Sequence, residues 1–209
     1  MYLTRVVIDT SKRMTMKALA SPSIFHGAVE SSFEGERKRH LWRIDNLNGQ
    51  YYLLLLSEDR PVLSQFCEQF SPENEWETVD YTKLLDNIET GDIRRFRLTA
   101  NPTVSVCEEK GTRGKVFAHI TAEHQKNWLI AKGRANGFDL TDDSFDVVQC
   151  KWKRFYKAGS RTVSLLSVTY EGILEISDAE LFRKALTNGI GRGKAYGMGL
   201  MTIMKVRRE

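Results

Sequence analysis

The run HLWRIDNLNGQYYLLLLS, residues 40–57, constrains the fold more than any other stretch of this 209-residue chain. His40 to Asp45 and Tyr51 to Ser57 are strand-like, and Asn48-Gly49 between them suits the positive φ angles of a tight hairpin turn. A hairpin alone leaves one apolar face uncovered, so its neighbours decide the architecture. Tyr2 to Asp9 reads as a strand. Ser21 reads as the N-cap, and Pro22 as the first turn, of a helix running through Ile24, Phe25, Ala28 and Val29 toward Phe33. Pro61 opens a short helix from Val62 to Phe70, and the remainder to about Asp92 is acidic and weakly patterned. This β-α-β-β-α order is that of the ferredoxin-like unit, which RNA-recognition modules also use.

A second cycle begins at Arg94. RRFRLTANPTVSV is strand-like, with Pro102 confining it to an edge or a bend. Thr121 to Arg134 has helical spacing, and Phe145 to Tyr156 and Arg161 to Ile176 are long strands joined across KAGS. Ser177 or Asp178 caps the helix AELFRKALTN, which stops at Gly189, and Leu200 to Val206 closes as a strand. The expected fold is therefore α+β: two tandem ferredoxin-like, RRM-like βαββαβ domains with antiparallel sheets, residues 1–88 and 89–209.

No apolar run approaches the roughly 20 residues of a membrane helix, and MYLTRVVIDTSKR lacks the pattern of a signal peptide. A cytoplasmic protein without membrane contact is expected. Cys67, Cys107 and Cys150 show no CxxC or Cys-His spacing, so reduced thiols are expected rather than a disulfide framework or a zinc site. The net charge of +4 is unevenly spread. Five acids and no Lys or Arg lie between Pro61 and Thr82, whereas KWKRFYKAGSR (Lys151 to Arg161) carries five bases and no acid. Arg37, Lys38, Arg39 and Arg43 form another basic cluster, and Arg192, Lys194, Lys205, Arg207 and Arg208 a third. Such segregation, with Trp152, Phe155 and Tyr156 interleaved, points toward nucleic acid.

GIGRGKAYGMGLM, residues 189–201, holds five glycines and two bases. It follows a helix and precedes a strand, whereas a nucleotide-binding loop must follow a strand and open a helix. Ala195 also stands where a P-loop carries its magnesium-ligating hydroxyl. Two readings remain: a loop lying along a phosphate backbone, with Gly191, Arg192, Gly193 and Lys194 as donors, or a turn that packs the last helix tightly.

With GILEISDAELFRKALTN before it, this segment resembles the C-terminal signature of CasE, the repeat-processing endoribonuclease family of the type I-E CRISPR Cascade complex. MYLTRVVID, SPSIFHGAVESSF, HLWRID, FRLTANPT and GKVFAHITAEHQKNWLIAKGRANGF fall in the family's order, so the resemblance spans nearly the whole chain. It implies binding of the repeat stem-loop of precursor CRISPR RNA and cleavage at the 3′ base of the stem, with no metal or other cofactor. It further implies retention of the product hairpin beside other Cascade subunits, the backbone subunit among them. The family's basic hairpin would be Lys151, Lys153, Arg154, Lys157 and Arg161 here. The acidic stretch from Pro61 to Asp92, unsuited to face RNA, is a candidate for subunit contact.

Metal-free RNA cleavage sets the 2′-OH against the adjacent phosphorus, and histidine suits the proton transfers. His26 stands at the family's catalytic histidine. His40 reads as a surface or RNA-contact residue, and the spacing of His119 and His124 does not bring both rings to one helix face. Two departures stand out. Ser23 occupies the position where many members carry a tyrosine, and Gly27, Ser31 and Ser32 stand where members carry bases. Lys38 with Arg37 and Arg39 would supply the missing cations. Otherwise cleavage is slow, or the protein binds without cutting.

Overall fold

The hairpin over residues 41–57 turns at Asn48 (φ 52°) and Gly49 (φ 87°), and Asn48 is the one non-glycine residue with positive φ among those described. The computed structural model describes residues 1–36, 38–107, 114–157 and 161–206, without the side chains of Lys157 and Arg161. The first half contains β1 (Tyr2–Ile8), α1 (Arg13–Ala20), α2 (Ser23–Glu30), β2 (Leu41–Leu47), β3 (Gln50–Ser57), α3 (Ser64–Phe70) and β4 (Glu77–Asp80). Its strands form an antiparallel sheet of order β2-β3-β1-β4. α4 (Thr82–Asp86) leads into the second half: β5 (Ile93–Ala100), β6 (Thr103–Val106), β7 (Lys115–Ala118), α5 (Ala122–Ala135), β8 (Phe138–Asp139), β9 (Phe145–Lys157), β10 (Arg161–Ile176), α6 (Ala179–Asn188) and β11 (Met201–Lys205). There β11, β5, β10 and β9 repeat the order of the first sheet, β8 extends β10, and β6 with β7 form a separate two-stranded ribbon. Both halves are ferredoxin-like.

Several expected boundaries move. Helix α2 starts at Ser23 with Pro22 in the cap position; Ser21 contributes its backbone carbonyl, which accepts from the Ile24 N–H at 2.9 Å, and makes no side-chain cap. The helix ends at Glu30, short of Phe33, because the hydroxyls of Ser31 and Ser32 turn back onto the Ala28 carbonyl at 3.0 and 2.8 Å. Helix α3 begins two residues later than expected, at Ser64. The stretch read as weakly patterned holds β4 and α4, and α1 and the β6–β7 ribbon were not anticipated. In α6, Asp178 is the N-cap, accepting from the Leu181 N–H at 2.9 Å.

Phe25 packs among Trp42, Phe66 and Phe70, the centre of the first core. The second core is built on Leu98, Leu129, Val168, Tyr170, Phe182 and Leu186, and it also takes in Leu41, Leu56, Tyr81, Leu85 and Ile88 from the first half. The two halves thus share apolar surface rather than hanging from a linker.

A buried ion-pair network closes the junction. Arg43, 1% exposed, forks onto Asp45 at 2.8 and 2.7 Å. It also donates to the carbonyls of Arg97 (2.9 Å) and Leu200 (2.8 Å) and to Thr202 Oγ1 (2.9 Å). Arg43 therefore leaves the basic cluster in which the sequence placed it. It is a clamp between the halves, not part of a polyanion-facing surface.

Candidate active site

Phe25 and Val29, four residues apart, are buried and fix the orientation of α2. The next residues round the helix, His26 and Glu30, are also four apart and come together, with His26 Nδ1 3.9 Å from Glu30 Oε1. The same carboxylate oxygen lies 3.3 Å from His40 Nδ1. His40 is buried and its ring stacks on Phe33 at 3.7 Å between centroids, which corrects its reading as a surface residue. Glu30 thus sits between two imidazoles. Sequence reasoning passed over it, although its spacing of four from His26, in step with Phe25 and Val29, was the available signal.

Across the junction, a 3₁₀ turn at Lys194–Tyr196 packs against α2 and β2. His26, Glu30, Lys38, Arg39, His40, Lys194 and Ala195 line one depression of about 310 Å³. Catalytic candidate and glycine-rich segment, 168 positions apart, therefore meet. Burial pulls the Lys194 ammonium below the ordinary lysine range, and the nearby Arg39 charge pushes in the same direction. Lys38 behaves oppositely: its hydrogen bond to Asp59 at 2.7 Å raises its pKa, and Glu58 lies 3.6 Å away. It reaches the depression already paired. Ser23 lies one turn before His26, with its hydroxyl 3.1 Å from that of Ser21, and does not line the depression. Arg37 lies outside the described residues.

The glycines answer mainly to packing. All five take positive φ. A Cβ on Gly197 would lie 2.7 Å from the Trp42 ring and one on Gly189 2.7 Å from Leu41, so both sites press against the first half of the chain. Gly191 faces Trp128 and Gly193 faces Met198. Arg192 is exposed and bridges Asn101 through its backbone, away from the depression. Only Lys194 and Ala195 of this segment are brought to His26.

The basic hairpin divides between two faces. Tyr170 pairs with Val147 but Thr169 with Gln149, leaving Val148 as a bulge. A strand alternates faces with period two, so one extra residue reverses every side chain beyond it. Beyond the bulge, Gln149, Lys151 and Lys153 line a cleft between the two halves, and the Phe155 ring lies 4.9 Å from that of Tyr196. Trp152, Arg154 and Tyr156 take the opposite face, where Trp152 and Tyr156 are 54% and 77% exposed. The bases read as one cluster do not act as one surface. Lys157 and Arg161 pair in the backbone register, and their side chains lie outside the described residues.

His119 and His124 depart from expectation too. Their ring centroids are 5.8 Å apart, because His119 precedes the helix and the chain folds back over its first turn. Burial lowers the pKa of His119, with His124 adding to the effect. Among the described residues no three His, Cys, Asp or Glu side chains converge as a metal-binding group, and no helix there is long and apolar enough to cross a membrane.

Paired ferredoxin-like sheets joined around a histidine, three further cations and a glycine-rich turn describe a protein built to handle a polyanion. The chain belongs to the CRISPR-associated protein family, whose description matches residues 1–205. It is 27% identical to the CRISPR-associated endoribonuclease Cse3 of Thermus thermophilus, over 97% of this chain and 99% of that one. A structure of Cse3 bound to a 19-nucleotide RNA superposes with a TM-score of 0.81 at 25% identity, over 97% of this chain and 98% of the other. A structure of Thermus thermophilus Cse3 with an RNA representing a pre-cleavage complex gives 0.78 at 26%, over 97% and 98%. The CasE resemblance of the sequence motifs stands.

Proposed function

We propose that this protein is a metal-independent endoribonuclease that binds the repeat stem-loop of precursor CRISPR RNA and cuts at the 3′ base of the stem. The observation that carries the reading is the placement of His26 in one depression with Lys194, Lys38 and Arg39. There a scissile phosphate would find an imidazole for proton transfer and cations for the charge of the phosphorane. The 2′ oxygen loses its proton and attacks phosphorus, the bond to the 5′ oxygen breaks, and that oxygen takes up a proton. The products are a 2′,3′-cyclic phosphate and a 5′-hydroxyl. The nucleophile belongs to the substrate, so no metal-activated water is required.

Arg154, with Lys157 and Arg161, grips the stem, and Gly191 to Lys194 pass beside it. The product hairpin stays bound, and the protein serves in the cytoplasm as a Cascade subunit beside the backbone subunit. Its residues 1–88 carry the histidine, and residues 89–209 carry the hairpin and the glycine-rich segment. The similarity to an endoribonuclease seen with RNA supports this reading. A second reading, an RNA-holding subunit that cuts weakly, is favoured by Ser23, whose hydroxyl is turned to Ser21.

The test is incubation with the cognate repeat RNA in EDTA, beside a substrate carrying a single 2′-deoxy at the scissile site and a His26→Ala variant. Cleavage in EDTA is expected, with none of the deoxy substrate and a loss of about 10²–10⁴-fold for the variant. Cutting that needs magnesium would overturn the mechanism, and tight binding without cutting would establish the second reading.

A further inference from the structure

A second hollow lies apart from the His26 depression. It is a cleft of about 460 Å³ between the two halves, on the other side of the 3₁₀ turn, with Gly197 in its wall. That volume falls within the roughly 300–1,000 Å³ of small-ligand sites and is far more than a bare phosphate fills. Its two walls differ in kind. The first half contributes a mainly apolar and aromatic wall that includes Leu19, Phe25, Trp42 and Tyr51, with Asp45 and Asn46 beside them, whereas the second contributes Thr99, Gln149, Lys151, Lys153, Ser167 and Thr169.

Two observations mark the polar wall as built for a ligand. Lys151 and Lys153 enter no ion pair among the described residues, while Asp45 and Arg97, the charged pair of the cleft, are matched to Arg43 and Glu171 and to each other. The lysines are there because of the bulge at Val148; without it they would turn toward the helices. Burial also lowers the pKa of Lys153, with Lys151 adding repulsion, and an anion between them would relieve both.

We propose that this cleft binds an unpaired nucleotide of the same RNA, adjoining the base of the stem. Its phosphate lies on Lys151 and Lys153, and its base lies against Tyr51. An aromatic wall facing a cationic one is the arrangement by which single strands are held. Continuity supports the choice of RNA over a second polypeptide: a strand leaving the His26 depression at Lys194 and Ala195 has only the turn to Gly197 to cross. The two sites then read one strand on either side of the glycine-rich turn. This inference rests on the proposed function.

The test measures the affinity of full-length protein for three cognate RNAs with 2′-deoxy at the scissile site: the hairpin alone, the hairpin with its 5′ unpaired flank, and the hairpin with its 3′ flank. One flank is expected to tighten binding about five- to tenfold, toward the low end for one stacked base. That gain should fall below about threefold in Lys153→Met and in Tyr51→Ala, two variants on opposite walls whose folding is checked by thermal melting. A 4-thiouridine in the flank should crosslink to peptides containing Tyr51. Failure of the wild type to bind even the hairpin would overturn the proposed function and this inference with it. Firm hairpin binding with no gain from either flank, a gain that survives both variants, or crosslinks outside the cleft would overturn the cleft alone.

Discussion

The two halves contain corresponding hairpins, β2–β3 and β9–β10, at the same place in the same strand order, yet one is twice as long. Strands of 7 and 8 residues in the first become 13 and 16 in the second, roughly 25 Å against roughly 45–50 Å. The short hairpin ends where its core ends. It buries Leu53, Leu55 and Trp42, and its one fully buried base, Arg43, is taken up by the other half. The long hairpin outruns its core, so Trp152, Arg154 and Tyr156 stand in solvent on one face while Lys151 and Lys153 reach a cleft on the other. A shared fold thus gives two different surfaces, and length beyond the core is what frees a strand for recognition.

The largest effect should come from breaking the short hairpin's hold on its sibling. Arg43→Ala would leave Asp45, 4% exposed, facing only Arg97 at 3.3 Å, and would strip donors from the carbonyls of Arg97 and Leu200. Removing one partner of such a buried pair costs about 3–5 kcal/mol, and unfolding in guanidinium chloride should show it. Asp45→Asn beside Arg43→Ala should recover part of the loss, because a buried carboxylate is then no longer stranded. A loss below about 1 kcal/mol would mean that the halves are held by apolar contact alone.

The contrast between the hairpins was only half legible in the sequence. Both hairpins and the ferredoxin-like order followed from strand-length apolar runs, the Asn-Gly turn and the helix periodicity. The bulge could not be read, because Val148 looks like any strand residue and only the pairing of Tyr170 with Val147 reveals it. Without it, one row of bases looks like one surface. Arg43 was misread for a related reason: charge in a basic run looks solvated until a carboxylate two residues on, Asp45, is seen to share its burial. β4 was missed because an exposed edge strand, ETVD, needs no apolar pattern. His26 was placed by family motifs, whereas Glu30 needed the helix to be built.

A smaller effect should separate the two hairpins as RNA surfaces. Arg154→Glu should weaken binding of the cognate hairpin about tenfold at moderate salt and lower the salt slope by about one to two charges. Leu47→Glu, at an exposed position near the turn of the short hairpin, should change affinity less than about twofold. Equal losses at both sites would show that charge anywhere on the protein is sensed, and the long hairpin would lose its special standing.

The smallest expected effect lies where the halves meet, at Lys194. Its pKa is lowered, first by burial and then by Arg39, so it gives up its proton at a lower pH than an exposed lysine. The sign follows from that direction. The cation is present below the lowered pKa and lost as pH rises through it, so affinity for RNA should decline in the alkaline range before ordinary lysines titrate. The fold itself favours the neutral amine, so any strain that this group places on stability eases over the same rise. Lys194→Arg keeps its charge throughout and should remove the early decline while preserving affinity near neutrality, whereas Lys194→Ala should start a few-fold weaker and show no such decline. If Lys194→Arg declines as the wild type does, the alkaline loss belongs to other groups. Lys194 would then mark only the packing of the glycine-rich turn against α2, and the chemistry beside His26 would rest on Arg39 and the already paired Lys38.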